Sequence, residues 1–188
     1  MKALMRKILL SDKFNSRMAP EGEYDSHRLP AEVIVDALAS VTGLWNTYSS
    51  RVPEPFSFYP PKTRSTRLGD ATVSSTELEL FGKVSRDVSL ESQRNNSITA
   101  RQLLYLMNSS ELEQRIRKSP NLKNIFKNNP DIEKLSHEIT LLTLSRKASE
   151  DEINLYRNYM ESNSMTLEEL AYDIMWMQLN SNEFLYNH

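Results

Sequence analysis

Apolar residues recur every three to four positions through most of this chain, which is the period of helices that bury one face. A short amphipathic helix is predicted at the start of the chain and ends before Pro20. Its apolar positions are Leu4, Met5, Ile8 and Leu9. A second helix is predicted to begin at Pro30, because proline suits a first turn, and to weaken at Gly43. Its apolar stripe is formed by Ile34, Leu38, Val41 and Trp45.

Helix-start signals recur in the second half of the chain, in front of further apolar-periodic runs. Each signal is a Ser or Thr followed three positions later by Glu or Gln, a pair that caps a helix N-terminus reciprocally. The pairs are Thr99 with Gln102, Ser110 with Glu113, Ser149 with Glu152, and Thr166 with Glu169. The last of these helices is apolar almost all round from Ile174 to Met177, which predicts a central, buried position.

The segment from Ser49 to Ser97 lacks the helical period. Prolines exclude a continuous helix in its first part, at Pro53, Pro55, Pro60 and Pro61. The part from Thr63 to Phe81 is rich in Ser and Thr, and its alternation predicts irregular structure with one or two short strands. The predicted fold is therefore mainly α: a helical bundle of about six or seven helices with a long irregular, proline-rich excursion.

Composition narrows the classes of function. The 188 residues include 39% hydrophobic residues, enough for the core of one domain, and 23 basic residues nearly balance 25 acidic ones. No electrostatic bias toward nucleic acid or an anionic membrane follows from this balance. Cysteine is absent, which excludes disulfides, thiolate chemistry and covalent haem attachment, so we expect no cofactor in this chain. No apolar run approaches the length of a membrane span.

Six charged residues form a candidate polar cluster, and they are Arg28, Glu32, Asp36, Arg86, Glu91 and Arg94. The first three are spaced one helical turn apart. Two carboxylates at this spacing can act as acid and base or hold a hard cation. The alternative is that the arginine neutralises a carboxylate near a helix N-terminus, where acidic residues are stable in any case.

The other three members of the cluster, together with Asp87, stand in a stretch with few other charges. If they are buried together, they form ion pairs that pin the irregular segment to the helices. The alternative is an anion or acidic-sugar site, because the planar fork of arginine binds carboxylate and sulfate. The structural interpretation is favoured for both halves of the cluster, and no catalytic residue is assigned.

Aromatic residues beside the prolines are a second candidate binding surface, formed by Trp45, Phe56, Phe58 and Tyr59. Such residues can stack on a sugar or a peptide, although aromatic residues next to prolines also anchor loops, and anchoring is favoured. The histidines His27, His137 and His188 lack the spacing of zinc ligands, so no metal site is predicted. The chain also lacks the short motifs of phosphate-binding loops, dinucleotide sites, serine hydrolases and zinc proteases.

Four stretches together resemble a known family. They are HRLPAEVIVDAL from His27, FGKVSRDVSLESQRNNSITARQLLYLMNSSELEQRI from Phe81, LLTLSRKASEDEINLYRNYM from Leu141, and DIMWMQLNSNEFLYNH from Asp173. Within them, R-L-x-A-E-x-x-x-D-A, F-G-x-x-x-R and W-x-x-L-N-S-x-E-F occur in the order of the planctomycete-type PSD domain. This is a domain of unknown function at the C-terminal end of large bacterial proteins that also carry a cytochrome-c-like region.

The resemblance implies a domain organisation and a setting. Residues 1–14 are expected to be the tail of a preceding domain or an N-terminal helix, and residues 15–188 a single PSD-like helical domain with an irregular segment over 49–97. A periplasmic or otherwise extracytoplasmic location is implied, with the signal peptide elsewhere in a longer protein. Many family members have C-x-C-E-R where this chain has Leu90 to Arg94, so only the arginine is retained. A thiol, metal or redox role of that run is therefore excluded in this chain. A structural role of Arg94, as an ion-pair brace of the irregular segment, remains open.

These observations favour a non-catalytic structural or interaction module of a multidomain extracytoplasmic protein, linked to polysaccharide binding or processing. The expected partners are neighbouring domains of the same polypeptide, including a cytochrome-c-like one, and a polysaccharide. Two alternatives stay open. One is a glycan-acting hydrolase or another enzyme that uses the Glu/Asp/Arg cluster, and the other is a docking module for a cytochrome-like electron-transfer domain.

Overall fold

The computed structural model describes residues 2–11, 27–50, 58–69, 73, 75–83, 97–129 and 131–187. These ranges are mainly helical, which confirms the predicted fold class. Their helices are α1 (Lys2–Leu9), α2 (Ala31–Thr42), α3 (Thr76–Leu80), α4 (Ala100–Asn108), α5 (Ser110–Lys118), α6 (Pro120–Asn128), α7 (Ile132–Leu144), α8 (Glu150–Asn163), α9 (Leu167–Leu179) and α10 (Asn182–Leu185). Two short strands, β1 (His27–Arg28) and β2 (Tyr186–Asn187), pair in antiparallel orientation.

Helix α9 lies at the centre of the helices in the second half of the chain. It packs most extensively on α7 and also contacts α5, α6, α8 and α10. Its core-facing residues are almost completely buried, and they are Leu170, Ala171, Ile174, Met175 and Leu179. The predicted central position is confirmed. The expectation that this helix is buried all round was wrong, because Trp176 and Met177 are 38% and 41% exposed.

The predicted capping boxes of α4, α8 and α9 are confirmed, with both reciprocal hydrogen bonds present in each. The fourth was placed one residue late, because Ser109 caps α5 by accepting the backbone N–H of Leu112 at 3.3 Å. Ser119 caps α6 in the same way, with the N–H of Leu122 at 3.1 Å. A single serine therefore separates each pair of helices from α4 to α6, and the described chain has more helices than the six or seven predicted.

The irregular excursion differs from the prediction in its second part. The described residues between Ser49 and Ser97 form a 3-10 turn (Ser65–Arg67), helix α3 and one isolated bridge between Ser49 and Phe58. The one or two short strands predicted from Thr63 to Phe81 are not found in the described part of that stretch. Instead Ser75 caps α3, which buries Leu78 in the core, so burial of this turn of helix outweighs the weak alternation.

Two contacts close the helices into one body. Gly43 ends α2, as predicted, in the left-handed conformation at φ 74°. A Cβ at this position would lie 2.9 Å from Cγ of Pro120, so glycine also permits the close approach of α6. At the other end of α2, the N–H of Leu29 donates to the carbonyl oxygen of Leu185 at 2.9 Å, which continues the β1–β2 pairing.

Candidate functional site

Arg28, the first residue of the predicted polar cluster, lies buried beside the end of α3. Its Nη2 donates to the carbonyl oxygen of Phe81 at 2.7 Å. Burial lowers the pKa of the guanidinium, partly offset by the nearby Tyr186, although arginine remains charged in proteins. This contact joins the first and second motifs of the family resemblance and holds the end of α3 against the strand β1.

Asp36 is engaged with the 3-10 turn. Its Oδ1 accepts from the backbone N–H of Ser65 at 2.6 Å, and its Oδ2 accepts from the backbone N–H of Thr66 at 3.2 Å. The hydroxyl groups of Ser65 and Thr66 also donate to the Asp36 carboxylate, at 2.6 Å and 2.7 Å. The hydroxyl of Ser65 is also 2.8 Å from the carbonyl oxygen of Glu32. The Asp36 carboxylate therefore caps the 3-10 turn and fixes it to α2.

The remaining predicted site residues are divided between described and undescribed parts of the chain. Arg86, Glu91, Arg94 and Phe56 lie outside the described residues. Phe58 is 72% exposed, whereas Trp45 and Tyr59 are half-buried, and Tyr59 packs against the core. Of the proposed aromatic surface, Phe58 thus lies exposed to solvent, whereas Tyr59 anchors the loop to the core.

A buried polar network that the sequence did not indicate is centred on Glu77. Its Oε1 accepts from Nη1 of Arg115 and from the hydroxyl of Tyr105, both at 3.0 Å. Its Oε2 accepts from Nδ2 of Asn46 at 2.7 Å, and Nη2 of Arg115 donates to Oδ1 of the same asparagine. The side chains of Arg115 and Glu77 are only 12% and 5% exposed. We call Asn46, Glu77, Tyr105 and Arg115 the Glu77 network.

The Glu77 network keeps its tyrosine protonated. Burial raises the pKa of Tyr105, and the negative charge of Glu77 adds to this effect. Burial likewise raises the pKa of the neighbouring Tyr48. The carboxylate already accepts three hydrogen bonds, so the arrangement holds α3, α4 and α5 together. Its members are up to 69 residues apart in the chain, and no local pattern could have shown that they meet.

A second ion-pair cluster fixes α10 to the loop between α7 and α8. Arg146 donates to both carboxylate oxygens of Glu183, at 2.6 and 2.9 Å, and to both of Glu152, at 2.8 and 2.9 Å. Hydrogen bonds from Arg146 lower the pKa of Glu152 to about 2. Glu183 is the glutamate of the motif W-x-x-L-N-S-x-E-F, so this motif supplies a brace for the C-terminal end of α9.

An apolar groove opens between α8 and α9. We call it the Trp176 groove, and its lining residues are Leu155, Tyr156, Tyr159, Leu170, Asp173, Ile174, Trp176 and Met177. Its volume is about 330 Å³, at the lower end of the range for ligand pockets. Leu155, Tyr159, Trp176 and Met177 are all exposed large side chains. The groove was not predicted from the sequence, because the exposed face of α9 was assigned to the core.

Polar groups edge the Trp176 groove. The hydroxyl of Tyr159 donates to Oδ2 of Asp173 at 3.2 Å, and this carboxylate raises the pKa of the tyrosine. Asp173 and Trp176 also line a neighbouring cleft of about 460 Å³. There the guanidinium of Arg117 lies 5.5 Å from the ring centroid of Tyr172, a cation–π distance. The groove therefore has an apolar floor and a polar rim.

Among the described residues, no group of three His, Asp or Glu side chains is arranged to hold a metal ion. None of the helices in these ranges is both long and apolar enough to cross a membrane.

Comparison with known proteins identifies a family. The PSD1 family, described as a protein of unknown function (DUF1553), matches residues 1–160, which is most of the chain. No curated protein and no solved structure matches the chain. The matched range contains the first three stretches on which the family resemblance was based, whereas the last stretch, from Asp173, lies beyond it. The resemblance is thereby confirmed, and the chain belongs to the PSD1 family of proteins of unknown function.

Proposed function

We propose that this chain is a non-catalytic interaction module of a multidomain extracytoplasmic protein, and that the Trp176 groove docks a helical segment of the same polypeptide. The observation that carries the proposal is the exposure of four large side chains side by side between α8 and α9. Contiguous exposed apolar surface with a polar rim is typical of protein interaction sites. A helix that inserts apolar side chains fits a groove of this shape.

The state of the charged groups supports docking over catalysis. Asp36 caps a turn, Glu77 accepts three hydrogen bonds in a buried network, and Glu152 and Glu183 share Arg146. A glycosidase needs two carboxyl groups about 5 to 10 Å apart across an open cleft. Among the described residues that line the Trp176 groove, Asp173 is the single carboxylate. The groove therefore offers a surface for binding and lacks a pair of acid and base groups in its described lining.

A polysaccharide is the second candidate partner. The aromatic rings of Tyr159 and Trp176 stand beside Asp173, and an aromatic face next to a carboxylate can stack on a sugar and accept its hydroxyl protons. The low polarity of the groove floor favours aliphatic side chains instead. The extracytoplasmic setting and a cytochrome-c-like neighbour are proposed on the basis of the family resemblance.

Photocrosslinking in the natural full-length polypeptide tests the proposal. Leu155 is replaced by p-benzoylphenylalanine, and the same replacement at Leu141, an exposed position on α7 outside the groove, is the matched control. We expect light-dependent cross-links from position 155 to a segment of the same polypeptide outside α8 and α9, and few from position 141. Cross-links to added polysaccharide would support the second candidate. Equal or absent cross-linking at the two positions would refute the docking function.

A further inference from the structure

A second open surface lies along α4 and adjoins the Trp176 groove. The cleft of about 460 Å³ shares Asp173 and Trp176 with the groove, and it shares Asn108 and Ser109 with a further cleft of about 740 Å³. We call these two clefts together the Asn108 track. The nine residues of α4, along which the track runs, span about 13 Å. An open surface of this length fits a linear chain better than a compact small molecule.

Apolar side chains line the track without closing it. Leu104 and Met107 are three residues apart on α4, and each is more than half exposed. Trp176 lies where the track meets the groove, and its indole N–H donates to no other described residue. Sugar rings have apolar C–H faces that pack on such side chains and stack on an indole. The track therefore offers platforms for sugars at more than one place along its length.

The track also carries polar side chains without partners in the described structure. The side chains of four residues form no hydrogen bond with another described residue, and they are Glu79, Arg101, Asn108 and Glu111. The carboxylates of the Glu77 network and those that bind Arg146 are, in contrast, paired within the protein. A few convergent donors and acceptors in a cleft fix the orientation of a polar ligand. The unpaired groups of the track therefore suit a ligand rich in hydroxyls.

Charges of both signs line the track, so it has no strong field of one sign. Its charged residues are four carboxylates and two arginines, and they are Glu79, Arg101, Glu111, Glu113, Arg117 and Asp173. Arg117 donates to Glu113 at 2.9 Å and lies over the ring of Tyr172. The excess of carboxylates disfavours a polyanion, and the two arginines disfavour a strongly basic peptide. A neutral hydroxyl can donate to the carboxylates and accept from the guanidinium groups, so a neutral chain of sugars fits best.

From these observations we infer that the Asn108 track binds a linear neutral polysaccharide. This function goes beyond docking in the Trp176 groove and does not depend on it. Trp176 stacks on a sugar at the end of the track next to the groove. The amide of Asn108, which lines both clefts, donates to and accepts from sugar hydroxyls in the middle of the track. Glu79 and Glu111 line the further cleft alone and accept hydrogen bonds from hydroxyls there.

Nuclear magnetic resonance of the whole isotope-enriched chain tests the inference with three neutral probes, cellohexaose, xylohexaose and mannohexaose. We expect at least one of them to shift the indole N–H signal of Trp176 and the side-chain amide signal of Asn108. The matching disaccharide spans less of the track, so we expect it to bind at least about tenfold more weakly, which corresponds to about 1.4 kcal/mol of lost contact. Dextran sulfate, a polyanion, is expected to leave both signals unchanged.

Matched substitutions separate the track from the rest of the surface. Asn108 and Asn128 are each exposed and the last residue of a helix, but only Asn108 lines the track. Asn108→Ala weakens binding of the hexasaccharide about threefold to tenfold through the loss of one or two hydrogen bonds, whereas Asn128→Ala leaves it unchanged. Trp176→Ala weakens binding more than Trp176→Phe, which retains a ring, and circular dichroism checks that each variant is folded.

Four results would overturn the inference. The first is the absence of any shift with all three hexasaccharides, and the second is an equal loss of binding in Asn108→Ala and Asn128→Ala. The third is equal binding of dextran sulfate, which would show recognition of charge in place of a neutral chain. The fourth is a shift of the track signals by a tryptic digest of the full-length polypeptide but not by the sugars, which would show a peptide-binding surface.

Sugar binding and docking in the groove fail separately. Met177 lines the groove but not the track, and the reverse holds for Asn108. Met177→Glu therefore reduces cross-linking from position 155 in the full-length polypeptide and leaves binding of the hexasaccharide unchanged. Asn108→Ala weakens binding of the hexasaccharide and leaves the cross-linking unchanged. Loss of both activities in Asn108→Ala would contradict a separate sugar site.

Discussion

The Glu77 network gives the most quantitative prediction, because it is buried and its partners are known. Glu77→Ala removes the acceptor of three hydrogen bonds and leaves the guanidinium of Arg115, which is 12% exposed, without its counter-charge. Loss of one partner of a buried ion pair costs about 3–5 kcal/mol in the free energy of unfolding. For a domain of this length, that lowers Tm by about 6–20 °C. Urea unfolding followed by circular dichroism measures the loss.

Two comparisons separate this effect from a simple loss of side-chain volume. Glu79 is two residues away on the same short helix but exposed, so Glu79→Ala changes the free energy of unfolding by less than about 0.5 kcal/mol. Adding Arg115→Leu to Glu77→Ala recovers part of the stability, because the unpaired buried charge is then absent. Equal small losses for Glu77→Ala and Glu79→Ala would show that Glu77 does not hold a buried network together.

Two further predictions concern a glycine and an acid-sensitive brace. Gly43→Ala forces a left-handed backbone and a contact of 2.9 Å with Pro120, so the free energy of unfolding decreases by about 1–3 kcal/mol. Gly69→Ala meets no atom within 4 Å, so a comparable loss in this control would contradict the argument. The pKa of Glu152 is about 2 in the folded chain and 4.5 as its ordinary value, so the stabilisation by Arg146 is complete above pH 4.5 and is lost as pH falls toward 2. After allowance for solvent screening of the half-exposed arginine, Arg146→Ala costs about 1–2 kcal/mol at neutral pH, and this difference disappears near pH 2. Urea unfolding between pH 2 and pH 7 measures the free energy of unfolding of both chains. A loss in Arg146→Ala that does not vary with pH would exclude the ion pair as its cause.

Local sequence signals anticipated the helices well. Capping boxes such as Thr99 with Gln102 involve residues three positions apart, so the pattern that predicts the helix start is also the set of contacts that stabilises it. Gly43 marked the end of α2 for the same reason, since a left-handed residue is a local requirement. Ser109 was missed as a cap because Ser110 follows it, and both can occupy that position.

The candidate sites were harder to predict because they depend on contacts between distant residues. Glu77 and Arg115 are 38 residues apart, and neither lies in a pattern that indicates burial of a charge. Asp36 was singled out as a carboxylate, but the turn that it caps is 29 residues away. The exposed face of α9 was assigned to the core because apolar residues all round a helix normally indicate burial, whereas Trp176 and Met177 face a groove.

Acrylamide quenching of Trp176 fluorescence shows whether a helical segment of the polypeptide occupies the groove between α8 and α9. Trp45→Phe removes the other tryptophan, so that the emission reports the groove alone. If a segment covers the groove, Trp176 is quenched less than its 38% exposure in the open groove implies. Leu155→Glu, which places a charge on the groove floor, then increases the quenching constant and shifts the emission to longer wavelength. Equal and unhindered quenching with and without Leu155→Glu would show that no segment occupies the groove.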